Sequence, residues 1–169
     1  MVLITSIHPI LQLLDNDVLF WGLTACGLAQ ISKLFFEWFA YRRFRLSVLI
    51  ETGGMPSSHS ALVMGTASGL GLKLGFDHPA FALAATIAFV VMYDASGVRM
   101  SAGLTAERVN KLLEQKGSED FEKPLKESLG HTRLEVLIGS LLGPAIALPG
   151  IVFIGSPLHL IQLFGLFQM

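Results

Sequence analysis

The chain has 169 residues, of which 52% are hydrophobic and 15% are charged, and its net charge at pH 7 is −1. This length predicts one domain over residues 1–169, and a mean hydropathy of +0.60 indicates a membrane protein, with a very hydrophobic soluble bundle as the alternative. The charge balance argues against nucleic acid as a partner, and the only cysteine, Cys26, excludes an internal disulfide.

Four apolar stretches reach or approach the roughly 20 residues that a helix needs to cross a bilayer. They predict spans at Val18–Ala40, Pro56–Gly75, Pro79–Val98 and Leu134–Gly155. Apolar residues at helical spacing also predict a short surface helix at Leu104–Lys116. The expected fold is therefore an all-α, polytopic membrane helix bundle. The apolar head (residues 1–14) and tail (residues 157–169) either lie in the interface or cap the bundle. Residues 1–17 lack the basic region of a secretory signal, so we expect them to be retained.

Basic residues are concentrated in the loops on one side of the predicted bundle, and only Lys73 lies near the other side. Those on the crowded side are Arg42, Arg43, Arg45, Arg99, Arg108, Lys111, Lys116, Lys123, Lys126 and Arg133. Because basic loops stay on the cytoplasmic side, we expect these loops to face the cytoplasm or its organellar equivalent. Both termini are expected to face away from it.

Small residues recur every four positions in two of the spans. They are Ala61, Gly65 and Gly69 in the second span, and Gly139 and Gly143 in the fourth. This spacing predicts close packing of the two helices, although it also arises by chance in glycine-rich spans. Close packing would bring His59 near His131.

The first span carries a polar stripe of Gln30, Lys33 and Glu37 near its basic end. Ionisable groups within a span are costly and are usually functional. The alternative is a lysine that snorkels to the interface, with a glutamate beside it.

A polar motif, Gly53-Gly54-Met55-Pro56-Ser57-Ser58-His59-Ser60, opens the second span. Glycines such as Gly54 let the backbone approach a ligand, and Pro56 suits the first turn of a helix. Ser57 or Ser58 either caps the helix or donates its hydroxyl to a phosphate oxygen. The alternative is a simple serine cap beside an uninvolved histidine.

A second motif, Gly130-His131-Thr132-Arg133-Leu134-Glu135, opens the fourth span. If the helix includes His131, then Glu135 lies on the same face and can orient the imidazole as a nucleophile. The alternative is that Thr132 and Glu135 form a capping box. The two roles can coexist, but we do not expect the same carboxylate oxygens to serve both at full strength.

Asp94 and Arg99 flank the end of the third span. An arginine there provides a planar fork for phosphate, and the alternative is a structural ion pair with Asp94. Three of the chain's five histidines, His59, His78 and His131, are scattered, and no metal site and no cofactor are predicted.

These motifs resemble the divergent branch of the type-2 phosphatidic acid phosphatase and vanadium haloperoxidase superfamily. Its second motif, Pro-Ser-Gly-His, is similar to residues 56–59, and its third motif, with histidine, three residues and aspartate, is similar to residues 131–135 with glutamate in place of aspartate. Lys33 is the candidate for the lysine that begins the first motif.

The resemblance implies a metal-independent, membrane-embedded phosphatase that acts on a lipid phosphate or diphosphate. It implies that His131 is the nucleophile, that Glu135 orients it and that His59 is the general acid. Lys33, Ser57, Ser58 and Arg99 would hold the phosphate, with Asp94 and Gly54 in support.

The chain departs from the family pattern where a third-motif arginine is expected, since Leu125 occupies that place. Arg99 can supply the charge from another helix. Two further hypotheses remain: a non-catalytic protein that binds anionic lipids or acts as a scaffold, and a small transporter or channel. A membrane lipid is the expected partner, and the sequence leaves a homo-oligomer open.

Overall fold

The computed structural model of the chain describes residues 8–42, 46–49, 53–116 and 123–163, and these form helices joined by short loops without any strand. The helices are α1 (Pro9–Leu14), α2 (Asp17–Tyr41), a 3₁₀ turn (Leu46–Leu49), α3 (Ser58–Leu74), α4 (Pro79–Ser96), α5 (Val98–Lys116), α6 (Arg133–Phe153) and α7 (Pro157–Leu163). The predicted all-α bundle is confirmed.

Each of the four predicted spans corresponds to a helix. Three stretches of the described chain are long and apolar enough to cross a membrane: Asp17–Phe39, Pro79–Gln115 and Arg133–Phe153. The remaining span, α3, has 17 residues. Large apolar side chains are exposed along α4, including Leu83, Phe89 and Tyr93, as expected of a helix that faces lipid.

The centre of the bundle is α3, which packs against α2, α4 and α6. Its contact with α6 is made by small residues. A Cβ atom on Gly139 would overlap the carbonyl oxygen of Ser57, and one on Gly143 would overlap that of Ala61, whereas one on Gly65 would lie 3.3 Å from the Gly143 oxygen. The predicted close approach of the second and fourth spans is therefore confirmed.

Several predicted boundaries differ from the structure. Pro56 precedes α3 instead of starting it, because Ser57 is the N-cap and its side chain accepts a hydrogen bond from the Ser60 N–H. The surface helix begins at Val98 instead of Leu104, separated from α4 only by Gly97. Charged Arg99 interrupts the apolar pattern near this start, so helical periodicity is regular only in the later residues.

The segment before α6 is held against α5 by Asn110. This buried amide donates to the Leu125 carbonyl at 2.9 Å and to Glu127 Oε1 at 2.7 Å, and its oxygen accepts from the Leu125 N–H at 2.9 Å. At the end of the segment, Gly130 has φ 78° and lies so close to the Met100 backbone that a side chain would overlap it. These contacts fix the approach to His131.

The opposite end of the bundle is joined by its own polar contacts. Lys73 Nζ lies 2.7 Å from Asp17 Oδ2, and the Ser156 hydroxyl donates to Asp15 at 2.8 Å. Helices α1 and α7 contact each other there, so the described parts of the head and tail pack together. Residues 1–7 and 164–169, and the basic Arg43 and Arg45, lie outside the described residues.

Candidate functional site

Four helix ends meet at the basic end of the bundle: the carboxyl ends of α2 and α4 and the amino ends of α3 and α6. The Ser57 N–H donates to the Glu135 carbonyl at 3.1 Å, and the His131 N–H donates to the Ala95 carbonyl at 2.9 Å. A Cβ on Gly53 would lie 3.5 Å from the Gly130 oxygen. The two sequence motifs are therefore neighbours in space.

Glu135 makes two contacts through one oxygen. Its Oε2 accepts from the Thr132 N–H at 3.0 Å and lies 3.1 Å from His131 Nδ1. The Glu135 N–H in turn donates to the Thr132 hydroxyl at 3.3 Å, which completes a capping box. The two roles coexist, and the same carboxylate oxygen serves both, because one carboxylate oxygen has lone pairs for two donors.

His131 lies outside α6, since Thr132 is the N-cap and the helix begins at Arg133. The helix therefore does not include His131, so the condition for a shared helical face with Glu135 is not met. The chain turns at Gly130 and places the ring beside the first helical turn. The contact with Glu135 is consistent with a proton on Nδ1, which leaves a lone pair on Nε2.

His131 Nε2 is buried and has no hydrogen-bond partner within the part of the chain that the structure describes, and the residue as a whole is 2% exposed. Leaving a buried polar atom without a partner commonly costs about 1–3 kcal/mol. Such an atom calls for an explanation beyond folding, and a role in chemistry is one.

Lys33 lies beneath the glycine loop. Its side chain is buried, at 2% exposure, and its Nζ donates to the Gly53 carbonyl at 3.0 Å. The Gly54 backbone has φ 86° and packs over the lysine stem. A cavity of about 330 Å³ opens here, lined by Lys33, Phe36, Glu37, Val48, Gly54, Met55 and Glu135. Lys33 is thus part of the site and does not snorkel to the surface.

His59 is exposed on the first turn of α3. Lys33, Arg99 and His131 all lie close enough to act on it electrostatically. Arg99 Nε lies 2.6 Å from Asp94 Oδ2, and both side chains are partly exposed. The Asp94–Arg99 ion pair that we considered is therefore present, at the rim of the same region.

The two serines point into the bundle. Ser57 is completely buried and accepts from both the backbone N–H and the hydroxyl of Ser60, at 3.3 and 2.9 Å. Ser58 is also buried and interacts with the thiol of Cys26 on α2. The capping interpretation accounts for Ser57, and neither hydroxyl faces the cavity.

Two features of the site were missed in the sequence. The carbonyl of Ala95 anchors His131, and Gly130 provides the turn that this anchor needs. A glycine directly before a histidine at a helix start was a usable signal for the turn. Nothing in the sequence identifies the Ala95 carbonyl, because the contact joins residues 36 positions apart, one in α4 and one in the loop before α6. In the described residues, no three His, Cys, Asp or Glu side chains form a group that could hold a metal ion.

The fold and the site together define a helical membrane protein with two histidine motifs at adjoining helix starts. The sequence profile of the Divergent PAP2 family matches residues 14–146, and the chain belongs to that family. It is also 36% identical over 151 residues to "Uncharacterized membrane protein YuiD" of Bacillus subtilis (strain 168), covering 82% of this chain and 96% of that protein. No solved structure matches the chain.

Proposed function

We propose that this PAP2-related membrane protein is a phosphohydrolase that removes phosphate from a lipid phosphate or diphosphate through a phosphohistidine intermediate. The observation that supports this proposal most strongly is the environment of the two ring nitrogens of His131. A carboxylate holds one ring nitrogen at 3.1 Å, and the other nitrogen has no partner among the described residues. An oriented imidazole with a free lone pair is the arrangement that a nitrogen nucleophile requires.

In the first step, His131 Nε2 attacks phosphorus, forming a P–N bond as the bond to the leaving oxygen breaks. His59 is exposed and near His131, and in its protonated form it gives a proton to that oxygen. In the second step, neutral His59 accepts a proton from water as the water oxygen attacks phosphorus. The P–N bond then breaks, which releases phosphate and restores both histidines.

Positive charge at the site stabilises the transferring phosphoryl group, as phosphoryl transfer mainly requires. Lys33 and Arg99 supply side-chain charge. The starts of α3 and α6 add backbone N–H groups and the positive ends of their dipoles. In this proposal, these backbone groups take the place of the Ser57 and Ser58 hydroxyls, which have partners inside the bundle.

Reaction at Nε2 requires access to a buried atom. The cavity beside Lys33 reaches Glu135, which holds the imidazole, and the loop at Gly53 and Gly54 forms part of its wall. We infer that this loop moves away from Gly130 when substrate enters. Glycines suit such a movement because they tolerate a wide range of backbone angles.

The test is phosphate release by the purified protein in detergent, with a chelator and no added metal. Substrates are a phosphatidic acid, a lysophosphatidic acid, a glycerophospholipid with a terminal phosphate monoester and a polyprenyl diphosphate. The His131→Ala protein, purified in the same way, is the matched control. Release by the wild type and not by the control supports the proposal, whereas equal rates for both contradict it.

The second candidate is a non-catalytic protein that binds an anionic lipid headgroup. It is favoured by Leu125, which stands where the related motif has an arginine, and by Arg99, which is already paired with Asp94. Tight binding of a lipid phosphate without turnover of any substrate in the panel would favour this candidate.

We also propose that the site faces the cytoplasm or its organellar equivalent, following the bias of lysine and arginine. Cysteines introduced one at a time at Lys126 and Asp77 test this orientation, because the two residues lie at opposite ends of the bundle. Labelling by an impermeant reagent is expected at residue 126 only from the cytoplasmic side and at residue 77 only from the other. The reverse pattern would overturn the orientation.

A further inference from the structure

A second cavity lies at the end of the bundle opposite the candidate site. It occupies about 750 Å³ between α1, the start of α2, the end of α3 and α7. This volume is within the range of roughly 300–1,000 Å³ that is usual for ligand pockets. Much of its wall is apolar, with Leu11, Leu19, Leu70 and Leu158, so it suits the hydrocarbon part of an amphiphile.

Charged groups occupy one part of the same wall. Lys73 Nζ lies 2.7 Å from Asp17 Oδ2, and Asp17 is largely buried whereas Lys73 is half-exposed. Asp15 accepts a hydrogen bond from the Ser156 hydroxyl at 2.8 Å. All three charged residues line the cavity, and within the described part of its wall two carboxylates and one ammonium leave one negative charge in excess.

This charge pattern restricts the headgroup that the cavity can hold. An anionic headgroup meets the excess negative charge and is disfavoured. A primary ammonium has three N–H donors, and the Asp15 carboxylate retains lone pairs after accepting from Ser156. A quaternary ammonium has no N–H to donate. A phosphate beside the ammonium can approach Lys73, whose side chain is half-exposed.

We propose that this cavity binds a phospholipid whose headgroup carries a primary ammonium, of the phosphatidylethanolamine class. The acyl chains lie along the leucines, the ammonium lies at Asp15 and the phosphate lies at Lys73. This inference is independent of the proposed phosphohydrolase activity, because it uses none of the residues at the other end of the bundle.

Native mass spectrometry of the delipidated protein tests the proposal. Phosphatidylethanolamine, phosphatidylglycerol and phosphatidylcholine with identical acyl chains are titrated in turn. The apparent Kd for phosphatidylethanolamine is expected to be lower by about tenfold, the effect of one additional hydrogen bond to a charged group. Free phosphoethanolamine is expected to bind far more weakly, because it lacks the chains.

Asp15→Asn is the diagnostic variant. Asparagine keeps an acceptor oxygen for Ser156 but removes the charge, and Asp15 is exposed, so the fold is expected to remain intact in a thermal melt. The preference for phosphatidylethanolamine should disappear. Glu107→Gln is the matched control, because this exposed carboxylate lies on α5 and pairs with Lys111. The preference of this variant for phosphatidylethanolamine should be unchanged.

Equal affinity for the three phospholipids would overturn the proposal, as would an unchanged preference in a folded Asp15→Asn protein. Binding of free phosphoethanolamine as tight as that of the lipid would overturn the assignment to a lipid. A preference for phosphatidylethanolamine that is lost in Asp15→Asn and kept in Glu107→Gln would support it.

Discussion

Replacing Glu135 by glutamine separates its role in capping α6 from its role at His131. Glutamine has the same length and keeps a carbonyl oxygen, and it serves as well as glutamate in a capping box. Within the cap itself, only the interaction of a negative charge with the helix start is lost, which is typically worth about 0.3–1 kcal/mol. We therefore expect the free energy of unfolding of Glu135→Gln to fall by no more than about 1 kcal/mol.

The effect on turnover is expected to be much larger. In the wild type, Glu135 Oε2 lies 3.1 Å from His131 Nδ1 and stabilises positive charge on the ring. An amide has no such charge, and its NH₂ group can also donate to Nδ1, which moves the ring proton to Nε2 and removes the nucleophilic lone pair. A carboxylate-to-amide change beside the histidine of a serine protease triad lowers kcat about 10⁴-fold. We expect a loss of about 10²- to 10⁴-fold here.

The assay is phosphate release from the best lipid substrate, with thermal unfolding measured in the same detergent. Thr132→Ala is the matched control, because it removes the hydroxyl that accepts from the Glu135 N–H and leaves the carboxylate in place. Loss of such a cap costs about 1 kcal/mol, so Thr132→Ala should lose stability but keep its activity within a few-fold. Full activity in Glu135→Gln, or parallel losses of activity and stability in both variants, would refute the orienting role of Glu135.

Three further substitutions test other parts of the site and the bundle. His131→Ala should abolish turnover while the protein remains folded and inserted, because the proposed role of the ring is chemical and its Nε2 has no partner among the described residues. Normal turnover would exclude the phosphohistidine mechanism. Arg99→Ala should lower turnover by about 10³-fold if the arginine stabilises the phosphoryl group. Lys111→Ala, which breaks another exposed ion pair, should leave turnover unchanged. Equal activity of the two variants would exclude a role for Arg99 in turnover. Gly143→Ala should destabilise the protein by about 1–3 kcal/mol through overpacking, since its Cβ would overlap the Ala61 carbonyl. Gly27→Ala, which has open space around its Cβ, should be neutral or stabilising by up to about 1 kcal/mol. The same melting temperature for both variants would contradict close packing of α3 and α6.

The helices were predictable because a membrane span is recognised from the length and hydropathy of a continuous stretch. The close packing of α3 and α6 was also predictable, since Gly139 and Gly143 are spaced by one helical turn. The ends of the helices were less predictable from the sequence. Pro56 suits the first turn of a helix, but Ser57 competes for the same end, and only its contact with Ser60 shows that the helix starts after it.

The proximity of the two histidine motifs was predictable from the sequence, but the arrangement of their side chains was not. Sequence spacing placed Glu135 near His131, yet it could not reveal that one oxygen serves both the ring and the Thr132 N–H. It also could not reveal that Ser58 turns towards Cys26. Such contacts depend on which face of α3 meets α2, and that choice is made by packing across the whole bundle.

The two candidate functions both require positive charge at the site. They differ in whether they require a reactive nitrogen at His131. In both proposals, Lys33, Arg99 and the starts of α3 and α6 would attract a phosphate, whether or not it reacts. A protein that only binds a headgroup gains nothing from a carboxylate that orients an imidazole. It gains still less from leaving His131 Nε2 buried without a partner in the described chain, at a cost of about 1–3 kcal/mol. A residue that only fills space at this position would be replaceable by leucine or methionine with a gain in stability. A buried imidazole with one nitrogen held and the other bare is therefore better explained by a reaction at that nitrogen than by binding alone.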